Sequence, residues 1–295
     1  MNKYTLNDFE KEFPDDDSCL DWLFKYRWPK GVYCEKCQKI TKHHKIKERK
    51  AYSCDYCGSM ISPTADTIFH KSATPLRTWF QVMYRMASTR CGISAKQIQR
   101  ETGVTYKTAW RMCSQVRKLL GDEIKHFTDD VEVDETYIGG KRRGKRGRGA
   151  ENKSKVVGAV ERKGKIIAKV VPDVKRSTLR PFVTENVATG ANLYTDEFPS
   201  YDKMARFGYK HLRINHSAKV YAKGDVHTNS IEGFWSLVKR GIGGVFHSVG
   251  TPYLQSYINE YAFRYNHRKS DIPMFKIFLS QISGASYPAQ VEPPF

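Results

Sequence analysis

Apolar positions along the chain recur at helical spacing in some stretches and alternate with polar ones in others. Residues 1–30 hold Leu20, Trp22, Leu23, Phe24 and Trp28, which predict a short helix, and Pro29 ends it. Residues 31–73 are rich in Cys, Lys and His and poor in aliphatics, so that segment cannot build a core of its own. Residues 74–120 read as helical, with Trp79, Met83, Met86 and Ala87 on one periodic face, punctuated by Gly92 and Gly103. From about Asp130 the texture changes. Val131-Glu132-Val133-Asp134 alternates as a strand does, and β-like runs follow at 155–161 and 165–171. A helix is expected over 177–187, a strand over 191–195, and helix from beyond about 227 to Arg268. No internal repeat is visible. Strands followed by helices predict an α/β domain from about 128 onward. The expected division is therefore 1–73, 74–127 and 128–295.

At 295 residues, 40% of them apolar, the chain can hold two or three small domains or one large one with an appendage. Mean hydropathy is −0.60, and no apolar run approaches the roughly 18 residues of a membrane span. The first residues carry Asp8, Glu10, Glu12 and Asp15 to Asp17, unlike the basic and then apolar start of a signal peptide. The chain reads as soluble, cytoplasmic and associated with the nucleoid. Fifty Lys and Arg against 31 acids give a net charge of +19. Such a field attracts polyanions, and nucleic acid is the usual partner. A basic protein that merely stays soluble is the bland alternative.

Seven cysteines, an odd number without a secretion signal, argue against a disulfide framework. Cys34-x-x-Cys37 and Cys54-x-x-Cys57, separated by 16 residues, have zinc-ribbon spacing. Each pair puts two thiolates on one knuckle, and two knuckles close a tetrahedron around one structural Zn²⁺. A segment without a core needs that staple to fold. His43, His44 and His70 are alternative ligands, and Cys19, Cys91 and Cys113 are expected to be packed thiols.

Ser94 to Arg111 reads as helix, turn, helix. Ser94 with Gln97 suits a capping box, Gly103 suits the left-handed turn, and Thr105 can cap the second helix. Cys91 to Ile93 would close the preceding helix. That arrangement exposes Tyr106, Lys107 and Arg111, buries Ala109 and Trp110, and is how a recognition helix is presented to the major groove. An ordinary helical hairpin is the alternative.

Three acids stand where two-metal phosphodiester chemistry would need them. Asp134 faces away from Val131 and Val133 along with Glu132, whereas Glu135 faces with the valines. Asp196 follows the strand 191–195, and Glu232 lies near the start of a helix, with 35 residues between the two. Three carboxylates can hold two Mg²⁺ (or Mn²⁺) for phosphodiester cleavage. Lys239, seven residues after Glu232, returns to nearly the same helix face and can hold a phosphate. Each acid also has a plain alternative: Asp134 a strand end, Asp196 a turn, and Glu232 the close of an Asn229-x-x-Glu232 cap.

Taken together, these segments resemble the zinc-ribbon-bearing insertion-sequence transposases of the DDE superfamily related to Merlin elements, the ISXO2-like transposases. The matching segments are 34–57, Val133-Asp134-Glu135-Thr136-Tyr137-Ile138-Gly139-Gly140, Leu193-Tyr194-Thr195-Asp196, 227–241 and 257–268. The resemblance implies an α/β, ribonuclease-H-like catalytic domain preceded by a zinc ribbon and a helix-turn-helix domain. It implies Asp134, Asp196 and Glu232 as the magnesium-binding triad, with Lys239 the downstream basic residue of the third motif and Arg240 beside it on DNA. Some members carry Asn in the third position, and Asn229 lies one turn before Glu232. Asn is the weaker Mg²⁺ ligand, and Glu232 sets Lys239 at the usual offset, so Glu232 is the expected third acid. Glu260, Arg264 and Arg268 share one helix face, as an ion-pair ladder or a DNA contact. The loop 141–149, with Lys141, Arg142, Arg143, Lys145, Arg146 and Arg148, is expected to clamp phosphates, a solvated insertion being the alternative.

The implied reaction is hydrolysis at the element end, then attack of the freed 3′-hydroxyl on target DNA. The implied partners are double-stranded DNA, terminal inverted repeats and target, and, because two ends must be paired, further copies of this chain. A domesticated DNA-binding relative, a nuclease without strand transfer and a zinc-dependent regulator are the competing readings.

Overall fold

A computed structural model describes residues 4–121, 126–139, 153–214 and 228–282. The described chain forms two compact units, one of residues 1–89, 95–119 and 270–295 and one of residues 90–94 and 120–269.

The first unit begins with two helices where the sequence predicted one. Thr5 and Asp8 form a reciprocal cap on α1 (Leu6–Glu12), and Asp15 and Ser18 do the same for α2 (Asp16–Arg27). Five short strands follow: β1 (Val32–Cys34), β2 (Lys39–Thr41), β3 (His43–Lys45), β4 (Tyr52–Cys54) and β5 (Met60–Ile61). They form a β1–β2 hairpin and a β3–β4–β5 sheet. Helices α3 (Leu76–Ser88), α4 (Ala95–Thr102) and α5 (Tyr106–Leu119) come next. Helix α3 ends at Ser88, so Cys91 to Ile93 do not close it as expected, and Cys91 is exposed rather than packed. Cys19 and Cys113 are buried as expected.

The core of this unit is aromatic. Phe9, Phe13 and Tyr84 gather around Phe275, with Phe13 and Phe275 centroids 6.0 Å apart, and Phe80 packs on Phe13. Phe275 belongs to α9 (Met274–Ser280), which lies in sequence within the segment 128–295 expected to form the α/β domain. Its buried face of Phe275, Phe278 and Leu279 explains why it packs here instead.

The second unit is built on five strands, β6 (Asp130–Ile138), β7 (Ser154–Glu161), β8 (Ile166–Val171), β9 (Asn192–Asp196) and β10 (Lys210–Ile214). Their order is β10-β9-β6-β7-β8, with β6, β7 and β8 antiparallel and β9 and β10 parallel to β6. Alternation divides the sheet into two buried faces. Val131, Val133, Val157, Ala159 and Leu193 meet Leu179, Phe182 and Val183 of α6 (Arg176–Asn186). Ile138, Val156, Val160, Ile166 and Ala168 meet α7 (Asn229–Gly241) and α8 (Thr251–Asn266). A sheet buried on both faces is the arrangement an α/β layer fold requires. The helix expected from about 227 to Arg268 is interrupted: a π-helical turn (Ile242–Phe246) follows α7 before α8 begins. Gly241 closes tightly against α8, since the Tyr261 hydroxyl occupies the place a Cβ would take.

Candidate functional site

The four ribbon cysteines converge in the first unit. Cys34 ends β1 and Cys37 lies in the turn to β2, while Cys54 ends β4 and Cys57 lies in the turn after it. All four Sγ atoms lie within 4.8 Å of one another, with Cys34–Cys57 at 3.5 Å and Cys37–Cys54 at 3.9 Å. A tetrahedron with 2.3 Å Zn–S bonds has edges of about 3.8 Å, so the donor set fits one Zn²⁺. The Ser59 hydroxyl and N–H draw the Cys57 thiol down to about 6, and the Thr41 hydroxyl draws Cys54 down. Both favour the thiolate that zinc requires, whereas the hydrogen bond with Cys57, then burial, push the Cys37 thiol up to about 12. The histidines lie outside this group: His44 pairs with Asp55 at 2.7 Å, His70 accepts the Asp66 N–H, and His43 Nδ1 lies 3.2 Å from the Thr41 carbonyl.

Helices α4 and α5 are joined by a short turn, with Gly103 at φ +71° as its left-handed residue. The Thr105 hydroxyl accepts the Thr108 N–H and so caps α5. Tyr106, Lys107 and Arg111 are exposed, Ala109 is fully buried and Trp110 half-buried. Arg111 is tethered, its guanidinium 5.5 Å from the Trp79 ring centroid.

In the second unit the acids gather at the centre of the sheet. The β6–β9 ladder ends at the pair Glu132 and Tyr194, and Asp134 and Asp196 each lie two residues beyond it on their strands. One ligand oxygen each from Asp134, Glu135 and Asp196 lie within 4.8 Å of one another. Burial pushes the Asp134 carboxyl up to about 7, reinforced by the charges of Glu135 and Asp196 and then of Glu232. A carboxyl so crowded by like charge is one a divalent cation would relieve, so the donor set fits a hard metal ion. Asp196 is also a turn residue, its Oδ1 accepting the Phe198 N–H at 2.9 Å.

Glu135 is the member the sequence missed. Alternation correctly sets it on the face of Val131 and Val133, and its carboxylate accepts the buried Tyr201 hydroxyl at 3.1 Å. Face alone says nothing of reach, and at this point of the sheet its longer side chain still comes to Asp134 and Asp196. Glu232 stands outside that close group. It is exposed in the first turn of α7 and accepts the Thr228 hydroxyl at 3.1 Å, while its charge is felt at Asp134. The expected alternative of an Asn229 cap is not formed, because Thr228 holds the N-cap position and Asn229 is the first helical residue. Gly158, opposite Asp134 on β7, lets α7 lie close: a Cβ there would stand 2.8 Å from the Trp235 ring.

Lys239 and Arg240 are exposed two turns along α7. Arg264 donates to Glu260 at 2.6 Å, and both are buried, so this pair is a local ion pair. Arg268 donates to the Gly164 carbonyl instead. The basic residues Lys141, Arg142, Arg143, Lys145, Arg146 and Arg148 lie outside the described residues. Among the described residues no helix is long and apolar enough to cross a membrane.

A four-thiol group in one unit and an acid-bearing mixed sheet in the other define a protein with a zinc-ribbon-like metal site and an α/β domain suited to divalent metal. Comparison with known families identifies both: residues 126–266 match the ISXO2-like transposase domain, and residues 14–60 match the transposase zinc-ribbon domain. The chain belongs to the ISXO2-like transposase family. It is 34% identical over 116 residues to an uncharacterized transposase-like protein of Haemophilus influenzae, covering 39% of this chain and 93% of that protein. It is 28% identical over 270 residues to an uncharacterized protein in transposable element ISH50 of Halobacterium salinarum, covering 84% and 91%. Membership implies DNA as partner, divalent metal at the acids and structural zinc in the ribbon.

Proposed function

We propose that this protein is a DNA transposase that binds terminal inverted repeats, cleaves the element ends and joins the freed 3′-hydroxyl to target DNA. The observation that carries the proposal is the adjacency of Asp134 and Asp196, borne on the neighbouring parallel strands β6 and β9, with Asp134 pushed up to about 7 by burial and then by its acidic neighbours. The strand order, three antiparallel strands followed by two parallel to the first, supports a ribonuclease-H-like catalytic domain. In this reading Asp134, Asp196 and Glu232 are the metal-holding acids, and Glu135 adds negative charge at their base. Two bound Mg²⁺ or Mn²⁺ would supply Lewis acidity at the attacking and leaving oxygens. Lys239 receives the scissile strand's phosphate, and Arg240 a neighbouring one. Each step is a direct displacement at phosphorus: the attacking oxygen forms the new P–O bond as the 3′-oxygen leaves, and no residue is covalently modified.

In the same reading the ribbon and the α4–α5 pair recognise the repeats, with Tyr106, Lys107 and Arg111 toward DNA. The loop 141–149 grips phosphates without regard to sequence. The active form is a dimer or higher oligomer on DNA, and the protein works in the cytoplasm on the nucleoid. The test is cleavage of a labelled duplex carrying the terminal repeat, with Mg²⁺, by wild type and by Asp134→Asn, Asp196→Asn and Glu232→Gln. Metal-dependent nicking at the repeat end, lost in all three variants that still bind the duplex, supports the proposal. Undiminished nicking by any of them removes that residue from the triad.

A further inference from the structure

The helix that carries Glu232 is not capped by its own residues. Thr228 occupies the N-cap position but makes no side-chain cap bond. The N–H groups of the second and third helical residues, which an N-cap side chain would normally satisfy, bond instead to Glu132 on β6. Glu132 Oε2 accepts from Ser230 N at 2.9 Å and from Ile231 N at 3.1 Å. Its Oε1 accepts from the Ser230 hydroxyl at 3.1 Å and from Arg162 Nε at 3.0 Å. Glu132 is fully buried, and these four donors satisfy both of its carboxyl oxygens where water cannot.

The partners of Glu132 continue across the sheet. The Arg162 guanidinium lies 3.9 Å from the ring centroid of Tyr194, the register partner of Glu132 on β9. Arg162 N also donates to the Asp130 carbonyl at 2.9 Å, and the Tyr194 hydroxyl and Asn192 amide donate to Asp130 Oδ1. Asp134 and Asp196 stand two residues beyond Glu132 and Tyr194 on these strands, and Glu232 is the residue after Ile231. One layer of side chains is thus bonded, within two residues on every side, to the elements carrying all three acids.

We propose that Glu132, backed by Arg162 and Tyr194, is a positioning residue that fixes Glu232 relative to Asp134 and Asp196. It replaces the missing cap of α7 with one anchored in the sheet, so the start of the helix cannot drift without breaking several charge-assisted bonds. This inference rests on the triad reading above. Groups that orient metal-binding side chains typically change metal affinity about 10- to 100-fold when removed.

The test uses the full-length, zinc-loaded protein and three variants, Glu132→Gln, Arg162→Met and Ser230→Ala. Mn²⁺ binding is followed by electron paramagnetic resonance, amide exchange over residues 229–235 by mass spectrometry, and nicking of a repeat-end duplex over a range of Mn²⁺. The expected result for Glu132→Gln is faster exchange at the start of α7 and Mn²⁺ binding weakened about 10- to 100-fold, with most of the nicking loss made up at saturating Mn²⁺. Arg162→Met and Ser230→Ala, which leave Glu132 in place, should show the same pattern more weakly and serve if Glu132→Gln does not fold. A lower melting temperature with unchanged Mn²⁺ binding in all folded variants overturns the proposal and leaves Glu132 a core residue. Glu232→Gln is run alongside. If it binds Mn²⁺ and nicks as wild type does, the triad reading fails, and the positioning role fails with it. If it is inactive while the folded Glu132 and Arg162 variants bind Mn²⁺ normally, only the positioning role fails.

Discussion

Replacing Asp134 by asparagine should make the sheet-bearing unit more stable above neutral pH while removing its activity. Burial, then the charges of Glu135 and Asp196, then that of Glu232, raise the Asp134 carboxyl from 3.8 to about 7. An acid raised in this way holds its proton more tightly folded than unfolded. The stability it contributes is complete below about pH 4 and is lost as pH rises through 7. At about 1.4 kcal/mol per pH unit, the interval amounts to about 4 kcal/mol, of which about 3 is lost between pH 5 and pH 8. Asparagine has the same shape and no charge at any pH, so the variant lacks this loss. The assay is calorimetric unfolding of both proteins at pH 5 and pH 8, zinc-loaded, without Mg²⁺ and without chelator. The variant's advantage over wild type should be larger at pH 8 than at pH 5 by about 2–3 kcal/mol. Added Mn²⁺ at pH 8 should stabilise wild type and not the variant. Parallel pH dependence in the two proteins would show that Asp134 is not crowded by its neighbours, and the electrostatic case for a metal site there would be lost.

Three further outcomes follow from other parts of the molecule. Cys54→Ser should lower zinc content below one per chain and loosen residues 31–61, since Cys54 is a buried member of the four-thiol group; full zinc by atomic absorption would contradict the site. Gly158→Val should destabilise the second unit by about 1–3 kcal/mol, because the new side chain meets Trp235 and Ile231 of α7; an unchanged melting temperature would mean that α7 does not lie so close to the sheet. Lys107→Ala should weaken end binding and reduce the slope of log affinity against log salt by about one; an unchanged slope would take Lys107 off the phosphate backbone.

The acids on strands were legible because a strand's alternation fixes faces from neighbours alone: Val131 and Val133 inward to α6 imply Glu132 and Asp134 toward α7. The four cysteines were legible because their spacing is local. What depended on distant partners was not. Glu132 finds Ser230 and Ile231 nearly a hundred positions away, so its role as a cap could not be read from residues 131–134. Glu135 was set aside on face, and reach is a three-dimensional quantity. Strand β10 was missed because Lys210 to Ile214 is a charged edge strand, with Leu212 exposed, and lacks the apolar alternation of a buried one. The break between α7 and α8 was passed over although Gly241, Gly243, Gly244 and Gly250 mark it. Helix α9 follows the sheet-bearing segment in sequence, yet its apolar face packs with α1 and α3, a partnership that sequence order does not reveal.

The most direct measurement is a strand-transfer reaction. Zinc-loaded protein, a labelled duplex ending in the element's terminal repeat and a supercoiled target plasmid are incubated with Mg²⁺, Mn²⁺ or neither. Covalent joining of the labelled 3′ end to the plasmid, dependent on the metal and absent with Asp134→Asn, is the predicted result. Binding of the repeat without cutting or joining, by a protein with intact zinc and a verified repeat, would contradict it and leave a DNA-binding relative without transposase activity.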